Sequence, residues 1–386
     1  MRKIRMGMVG GGRDAFIGAV HRTAAALDGQ IDLVCGAFSS TAEKSKASGA
    51  DLFLPAARVY ANYEEMFIQE AALSDSESMD FVAIVTPNNS HFDIASKALR
   101  AGFHVMSDKP ATLNLQEARA LQTIVTETGL LYGLTHNYTG YPLVKEARKI
   151  IREGRIGKVR KVVVEYSQGW LSTKLEDEDN KQAAWRTDPA QSGACGCMGD
   201  IGTHAENLLE YMTGLRIIEL SAELTTFVEG RRLEDDGNVL LRLDNGARGI
   251  LFASQISVGE ENNLNIRVYG EQGAVSWQQQ EPNRLVLNWL DRPEQVIRAG
   301  ANNDLAPVSV YNSRTPGGHP EGYLEAFGNL YRNFAGVLQA RLEGREPDPD
   351  DLDFPTIDDG VRGMAFLEAL IESAESTEKW TRIVEA

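Results

Sequence analysis

Apolar residues fall in short runs along the first third of the chain, and the stretches between the runs carry apolar positions at helical spacing. Residues 3–9 (KIRMGMV), 31–37 (IDLVCGA), 81–86 (FVAIVT) and 103–107 (FHVMS) have the length and composition of strands buried on both faces. Helical spacing marks 91–101 and 114–128, and a further strand, 130–135 (LLYGLT), ends at His136. Strands alternating with helices predict a parallel, doubly wound sheet covered on both sides.

Beyond His136 the pattern changes. Residues 142–153 read as a helix with Pro142 in its first turn. From there strands dominate, at 158–167, 217–228, 238–244, 247–257, 264–270, 273–278 and 284–290. Strands in succession predict an antiparallel arrangement, and Asn245-Gly246 reads as a hairpin turn needing positive φ angles. An acidic, proline-bearing loop at 345–360 precedes a last helix at about 358–374. The expected fold class is thus α/β followed by α+β. A doubly wound parallel domain spans 1–136, and 137–386 form an α+β domain on a large, mostly antiparallel open sheet. The helix near 142–153 is placed to pack on the first domain.

Composition narrows the function. With 386 residues, 42% of them apolar, the chain can bury two cores without a disulfide or metal staple. Its 39 basic and 55 acidic residues give a net charge of −16, which argues against nucleic acid or an anionic membrane as the principal partner. Three cysteines are too few for a disulfide framework and fit a reducing compartment. No apolar run has the length of a signal core or a membrane span, so a soluble, cytoplasmic protein is expected.

Gly10, Gly11 and Gly12 follow the first strand and precede a helical stretch, with Gly18 a little later. A strand, a glycine-rich turn and a helix let backbone N–H groups approach a pyrophosphate, the mark of a dinucleotide-binding Rossmann unit. The third glycine comes late, and Arg13 or the helix start then stands beside the phosphates. At the end of the second strand, where an acid usually binds the adenosine ribose, stand Ser39 and Ser40, with Lys44 following. These suit a 2′-phosphate, but the hydroxyls equally suit a helix cap, so both NAD and NADP are kept as cofactors.

Two more segments lie where parallel strands end and ligands of such sheets bind: Thr86-Pro87-Asn88-Asn89-Ser90-His91 and Asp108-Lys109-Pro110. Thr86, Pro87, Asn88, His91, Asp108 and Lys109 are accordingly candidate cofactor contacts. Pro110 restricts the residue before it and aims the Lys109 side chain. Asp200 and His204 are four apart, on one face if helical, and fit an orienting carboxylate with an acid–base imidazole. Cys195-Gly196-Cys197 has too few partners and too close a spacing for zinc, so no metal is expected.

Taken together, the glycine turn, the TPNxxH segment, the Asp-Lys-Pro tripeptide and the DxxxH segment resemble the Gfo/Idh/MocA oxidoreductases over essentially the whole chain. That resemblance implies a Rossmann domain followed by an open-sheet domain often used for oligomerisation. It implies that Lys109 matches the family's catalytic lysine, and Asp200 and His204 its Asp and His. The tripeptide departs from the commoner Glu-Lys-Pro, and Asn207 stands where many members have Asp.

The implied reaction moves a hydride between nicotinamide and a secondary alcohol of a sugar or polyol. His204 serves as base, Asp200 orients it and Lys109 polarises the reacting oxygen; Lys109 and His204 could exchange roles. Substrate contacts are expected from Lys109, His136, Tyr138, Trp170, Trp185, Arg186, Asp200, His204 and His319, with Tyr166 and Gln168 beside them. For several of these, core packing explains the residue equally well. Two rival functions stay open, an NAD-assisted glycosidase and a nicotinamide-binding regulator without turnover. A homo-oligomer is expected.

Overall fold

The computed structural model describes residues 2–13 and 15–384. Its chain divides into two compact units, 1–137 with 323–361, and 138–322 with 362–386.

In the first unit the elements are β1 (Ile4–Gly10), α1 (Phe16–Ala26), β2 (Ile31–Ala37), α2 (Ala42–Asp51), α3 (Tyr63–Ala71), β3 (Phe81–Val85), α4 (His91–Arg100), β4 (His104–Ser107), α5 (Leu115–Thr128) and β5 (Tyr132–Leu134). The five strands are parallel, in the order β2-β1-β3-β4-β5. Outside β2, Val59 forms a single parallel bridge to Gly36, which stands for one more strand and completes the 3-2-1-4-5-6 order of a dinucleotide-binding sheet. Alternation within β3 shows why its sequence is a continuous apolar run. Phe81, Ala83 and Val85 enter one core with Met6, Met8 and Val20 of α1, while Val82 and Ile84 enter another with Met66, Ile94 and Leu121. Asn62 and Asn114 cap α3 and α5 by accepting the amides of Glu65 and Glu117.

The second unit begins with α6 (Pro142–Arg152) and β6 (Lys161–Ser167). Then come α7 (Lys181–Arg186), α8 (Pro189–Ser192), a π-turn at Met198–Gly202 and α9 (Thr203–Thr213). Strands β7 (Ile217–Thr225), β8 (Asp236–Leu243), β9 (Arg248–Ser254), β10 (Asn263–Tyr269), β11 (Gly273–Gln278), β12 (Arg284–Trp289) and β13 (Gln295–Arg298) follow, with α10 (Pro307–Tyr311). Helix α6 packs on α9 and α10 of this unit. Between β8 and β9 only Gly246 has positive φ, so the hairpin carries one left-handed residue, not the two anticipated from Asn-Gly.

The chain then returns to the first unit with α11 (Tyr323–Leu342). Helix α12 (Ile357–Glu375) and the short β14 (Thr381–Arg382) end it. Phe327, Tyr331, Phe334 and Leu338 of α11 join the core of β1 and β3, with Phe81 and Phe334 rings 5.2 Å apart. A single boundary at 136/137 therefore misses part of the architecture, because one sheet face is covered by residues near the far end of the chain. With β14 included, the second sheet has nine strands, ordered β13-β12-β11-β10-β6-β9-β8-β7-β14. All its pairs are antiparallel but β6–β9. No helix among the described residues is long and apolar enough to cross a membrane.

Candidate active site

In the first unit the glycines are required by close approach. Gly10 (φ +82°) and Gly11 (φ +68°) take left-handed conformations, and a Cβ on Gly18 would lie 2.3 Å from the Gly11 Cα. Gly18 is thus the third glycine of the motif by function, letting α1 pack on the turn. Gly12 donates its amide to the Phe38 carbonyl (3.2 Å), and a Cβ there would meet Ser48 Oγ at 2.6 Å. Helix α1 has no side-chain cap and no acid in its first turn. An uncapped helix start behind a glycine turn fits a pyrophosphate, as expected from the sequence.

Around this turn some candidates serve the protein. The Arg13 guanidinium pairs with exposed Asp51 (2.5 Å), and its amide reaches Ser48 Oγ (3.1 Å). Arg22, unnoticed in the sequence, donates to the Gly11 carbonyl at 2.6 Å and places a cation under the turn. Ser39 and Ser40 lie at the end of β2 with exposed Lys44 beyond. The acid expected of an NAD ribose site is missing there.

His91 was expected as a cofactor contact, but its two ring nitrogens face the Pro110 carbonyl (2.7 Å) and the Thr86 carbonyl (2.8 Å). It is a strut joining the end of β3 to the Lys109-Pro110 turn, and the strut leaves no ring nitrogen for a ligand. Asp108, another expected contact, accepts the Lys109 amide (2.9 Å) and Thr135 Oγ1 (2.8 Å) through Oδ1, so it shapes the turn that presents Lys109. Thr86 accepts Ser90 Oγ at 2.7 Å, Pro87 is exposed and Asn88 is buried. The Lys109–Pro110 bond is cis and Lys109 is half-buried.

His136 lies fully buried near Lys109. Burial first, and then the Lys109 charge, lower its pKa to about 3. Burial likewise lowers His21 and His104 to about 4, with Asp108 opposing it at His21 and Asp80 at His104. His21 Nδ1 meets Tyr331 Oη of α11 at 2.7 Å, and His104 Nδ1 accepts the Leu131 amide at 2.8 Å. These rings are neutral in the fold, whereas an unfolded histidine takes up a proton near 6.5. Their stabilising effect is whole above pH 6.5 and is lost as pH falls toward about 4 and then 3. The melting temperature should therefore drop between pH 6.5 and 4. His104→Gln, whose carbonyl can still accept the Leu131 amide, should make the drop shallower, and an unchanged slope would refute the assignment.

In the second unit the structure gathers most of the expected substrate residues into one polar and aromatic cluster. Asp200 does not stand in a regular helix with His204. It lies on the π-turn, and His204 is the second residue of α9. Asp200 Oδ2 accepts Arg186 Nε (3.1 Å) and Gln255 Nε2 (2.8 Å). Arg186 stacks over Trp185 at 4.2 Å and lies 5.9 Å from the Trp170 ring. Trp170 Nε1 donates to Gln168 Oε1 (2.9 Å), and Gln168 Nε2 donates to Asn262 Oδ1 (2.8 Å). Asn262 Oδ1 also accepts the Tyr166 hydroxyl (2.7 Å), which in turn bonds Tyr138 Oη.

The buried His204 ring stands edge-on to Tyr138, centroids 4.8 Å apart, and 6.2 Å from Tyr166. Burial raises the Tyr138 pKa and keeps its phenol protonated. Gln255 and Asn262, at or beyond strand ends, carry no local motif and were missed in the sequence. His319 is exposed on the loop before α11, and its Nδ1 faces its own Pro316 carbonyl at 3.3 Å. All three cysteines are free and buried, burial raises each thiol, and no metal-binding group occurs among the described residues.

Comparison with known proteins agrees with this layout. A family model described as an oxidoreductase family with an NAD-binding Rossmann fold (GFO_IDH_MocA) matches residues 4–136, and the GFO/IDH/MocA C-terminal domain matches 144–276. The oxidoreductase YfiI of Bacillus subtilis (strain 168) is 32% identical, over 98% of this chain and 96% of its own. Levoglucosan dehydrogenase of Pseudarthrobacter phenanthrenivorans (strain DSM 18606 / JCM 16027 / LMG 23796 / Sphe3) is 25% identical over 99% of both chains. An inositol dehydrogenase homologue from Azotobacter vinelandii, solved with NADH and myo-inositol, superposes with a TM-score of 0.91 at 33% identity, covering 99% of this chain and 98% of that one.

Proposed function

This chain belongs to the Gfo/Idh/MocA family of oxidoreductases with an NAD-binding Rossmann domain, and from that premise we propose that it oxidises a secondary alcohol of a sugar, inositol or related polyol. The observation that carries the substrate class is the cluster in the second unit. Aromatic faces (Tyr138, Tyr166, Trp170) there alternate with amides and a carboxylate (Gln168, Gln255, Asn262, Asp200), a set suited to a ligand with many hydroxyls.

The glycine turn and the open start of α1 would hold the dinucleotide pyrophosphate, and when bound the nicotinamide accepts or donates hydride at C4. The chain's own residues handle the proton. His204 Nε2 takes the proton of the reacting hydroxyl, and Lys109 Nζ donates a hydrogen bond to its oxygen as negative charge develops there. Asp200, itself fixed by Arg186 and Gln255, is the orienting carboxylate of this reading. The reverse assignment, Lys109 as acceptor, uses the same atoms.

The missing acid at the end of β2 leaves NADP admissible beside NAD. Ser39→Asp should lower activity with NADP relative to NAD at least tenfold, by repulsion at the 2′-phosphate; an unchanged ratio removes Ser39 from the ribose site. We also infer a homo-oligomer formed on the outer face of the nine-stranded sheet. Register aligns Val286, Ser276, Arg267, Val163, Ile250 and Leu240 there in one row. Light scattering would weigh that oligomer, and a monomer refutes it. The buried free thiols support a cytoplasmic setting.

The function is tested by absorbance of reduced nicotinamide with NAD or NADP and a panel of myo-inositol, levoglucosan, aldoses and glycosides. Cofactor reduction establishes a dehydrogenase. Cleaved glycoside without net reduction gives the redox-neutral glycosidase, and cofactor binding without any product gives the regulator.

A further inference from the structure

Beneath the cluster lies a loop, 226–235, that no part of the mechanism uses. One residue of it, Glu234, captures three successive amides. Its carboxylate accepts the Gly196 amide (2.8 Å to each oxygen) and the Met198 amide (3.0 Å), and its own carbonyl accepts the Cys197 amide (3.0 Å). Gly196 is glycine for this reason, since a Cβ there would stand 2.2 Å from the Glu234 carbonyl oxygen. Asp200, at the centre of the π-turn, donates its amide to Gly196 (3.0 Å), so the residue that Glu234 grips is the first hydrogen-bonded support of the turn leading to His204.

Glu234 is itself held firmly. The next residue, Asp235, accepts the amides of Phe227 (2.8 Å) and Val228 (3.0 Å) and Arg231 Nη1 (3.1 Å). The buried Arg231 guanidinium donates to the carbonyls of Leu171 (2.9 Å) and Thr173 (3.0 Å) and pairs with Glu176 (2.8 Å). The loop thus grips two segments at once, 171–176 beside Gln168 and Trp170, and 196–198 ahead of Asp200.

We infer that Glu234 is a positioning residue, a buried carboxylate that anchors the amides of 196–198 and thereby fixes the turn carrying Asp200 and His204. The inference rests on the reading of those two residues as parts of the reaction. A carboxylate is suited to the task because it only accepts, and both its oxygens can face N–H groups. A glutamine offers one oxygen, and its NH₂ group would confront an amide donor.

The test compares wild type, Glu234→Gln, Glu234→Asp and Arg232→Ala at pH 8.5. Burial outweighs the amide bonds and raises the Glu234 pKa to about 7, so at this pH the wild-type carboxylate is charged. Arg232 belongs to the same loop but is exposed and pairs with Asp188, so its variant serves as the control. Amide hydrogen exchange over peptides spanning 195–204 should quicken about tenfold or more in Glu234→Gln and less in Glu234→Asp, and stay unchanged in Arg232→Ala. With whichever polyol of the panel wild type oxidises, kcat should fall about ten- to thirtyfold in Glu234→Gln, less in Glu234→Asp, with NAD affinity within twofold throughout. Exchange at the wild-type rate in Glu234→Gln overturns the anchor. Faster exchange with unchanged kcat overturns its role in positioning. If Glu234→Gln does not fold, Glu234→Asp decides by the same two readings. A wild-type protein that oxidises nothing in the panel would fail the proposed function, while exchange still reports on the anchor.

Discussion

Lys109→Ala and His204→Ala are each expected to lower kcat by about 10²–10⁴-fold while leaving NAD affinity within a few fold. The separation of effects follows from where the cofactor's phosphates would be held. That turn depends on Gly10, Gly11, Gly18 and the start of α1, none of which either substitution touches. Lys109 is presented by a turn with its own supports: Asp108 holds its amide, Thr135 holds Asp108, and His91 holds the Pro110 carbonyl. Removing the side chain therefore deletes an ammonium group and leaves its mount intact. His204 has a comparable mount, packed against Tyr138 on one helix of a well-buried unit. Two variants with wild-type kcat would dismiss the assigned chemistry, whereas a matching loss of NAD affinity would make these residues part of cofactor binding.

A second large effect concerns stability. Arg362→Ala should destabilise the protein by about 3 kcal/mol, because it removes the buried cation that faces two buried carboxylates, while Glu210 keeps Arg216 at 2.7 Å. Arg362 is 4% exposed, and its Nη2 lies 2.6 Å from Glu210 while its Nε lies 3.8 Å from Glu206, itself 1% exposed. It also donates to the Ile217 carbonyl, and Glu210 accepts the Ile217 amide at 2.8 Å. One guanidinium thus ties α12 to α9 and to the first residue of β7. Calorimetry should show a melting temperature lower by roughly 10 °C, given about 2–4 °C per kcal/mol for a unit of this size. A shift under about 2 °C would mean that the carboxylates find other partners. Because Glu206 and Glu210 lie on the helix of His204, a smaller loss of activity should accompany the instability.

Much of this is legible in the sequence. Parallel strands covered on both sides must be continuous apolar runs, and β1 to β5 were found by that signal within a few residues. Strands β13 and β14 were missed because they are short edges, and three of the four residues of β13 are exposed, so no apolar face marks them. The role of α11 could not be read either, since an amphipathic helix does not declare which sheet it will cover. In the site, motifs with fixed spacing led to Lys109, Asp200 and His204. What the motifs did not separate was ligand contact from internal support. His91 and Asp108 recur beside a ligand site in sequence but hold backbone in space. Gln255, Asn262 and Glu234 act through partners 55, 94 and 38 residues away, a distance at which spacing carries no signal.

The late return of α11 also orders events at the ribosome. When β1 to β5 have emerged, Phe81 and Met106 still lack Phe327, Tyr331, Phe334 and Leu338, and residues 138–322 must be translated before these arrive. At about 5–20 residues per second that delay is roughly ten to forty seconds. Throughout it the apolar flank of β1 and β3 stays uncovered, a hazard for aggregation during synthesis. The same dependence means that the first 137 residues, cut out and expressed alone, would be a fragment and not a detachable module.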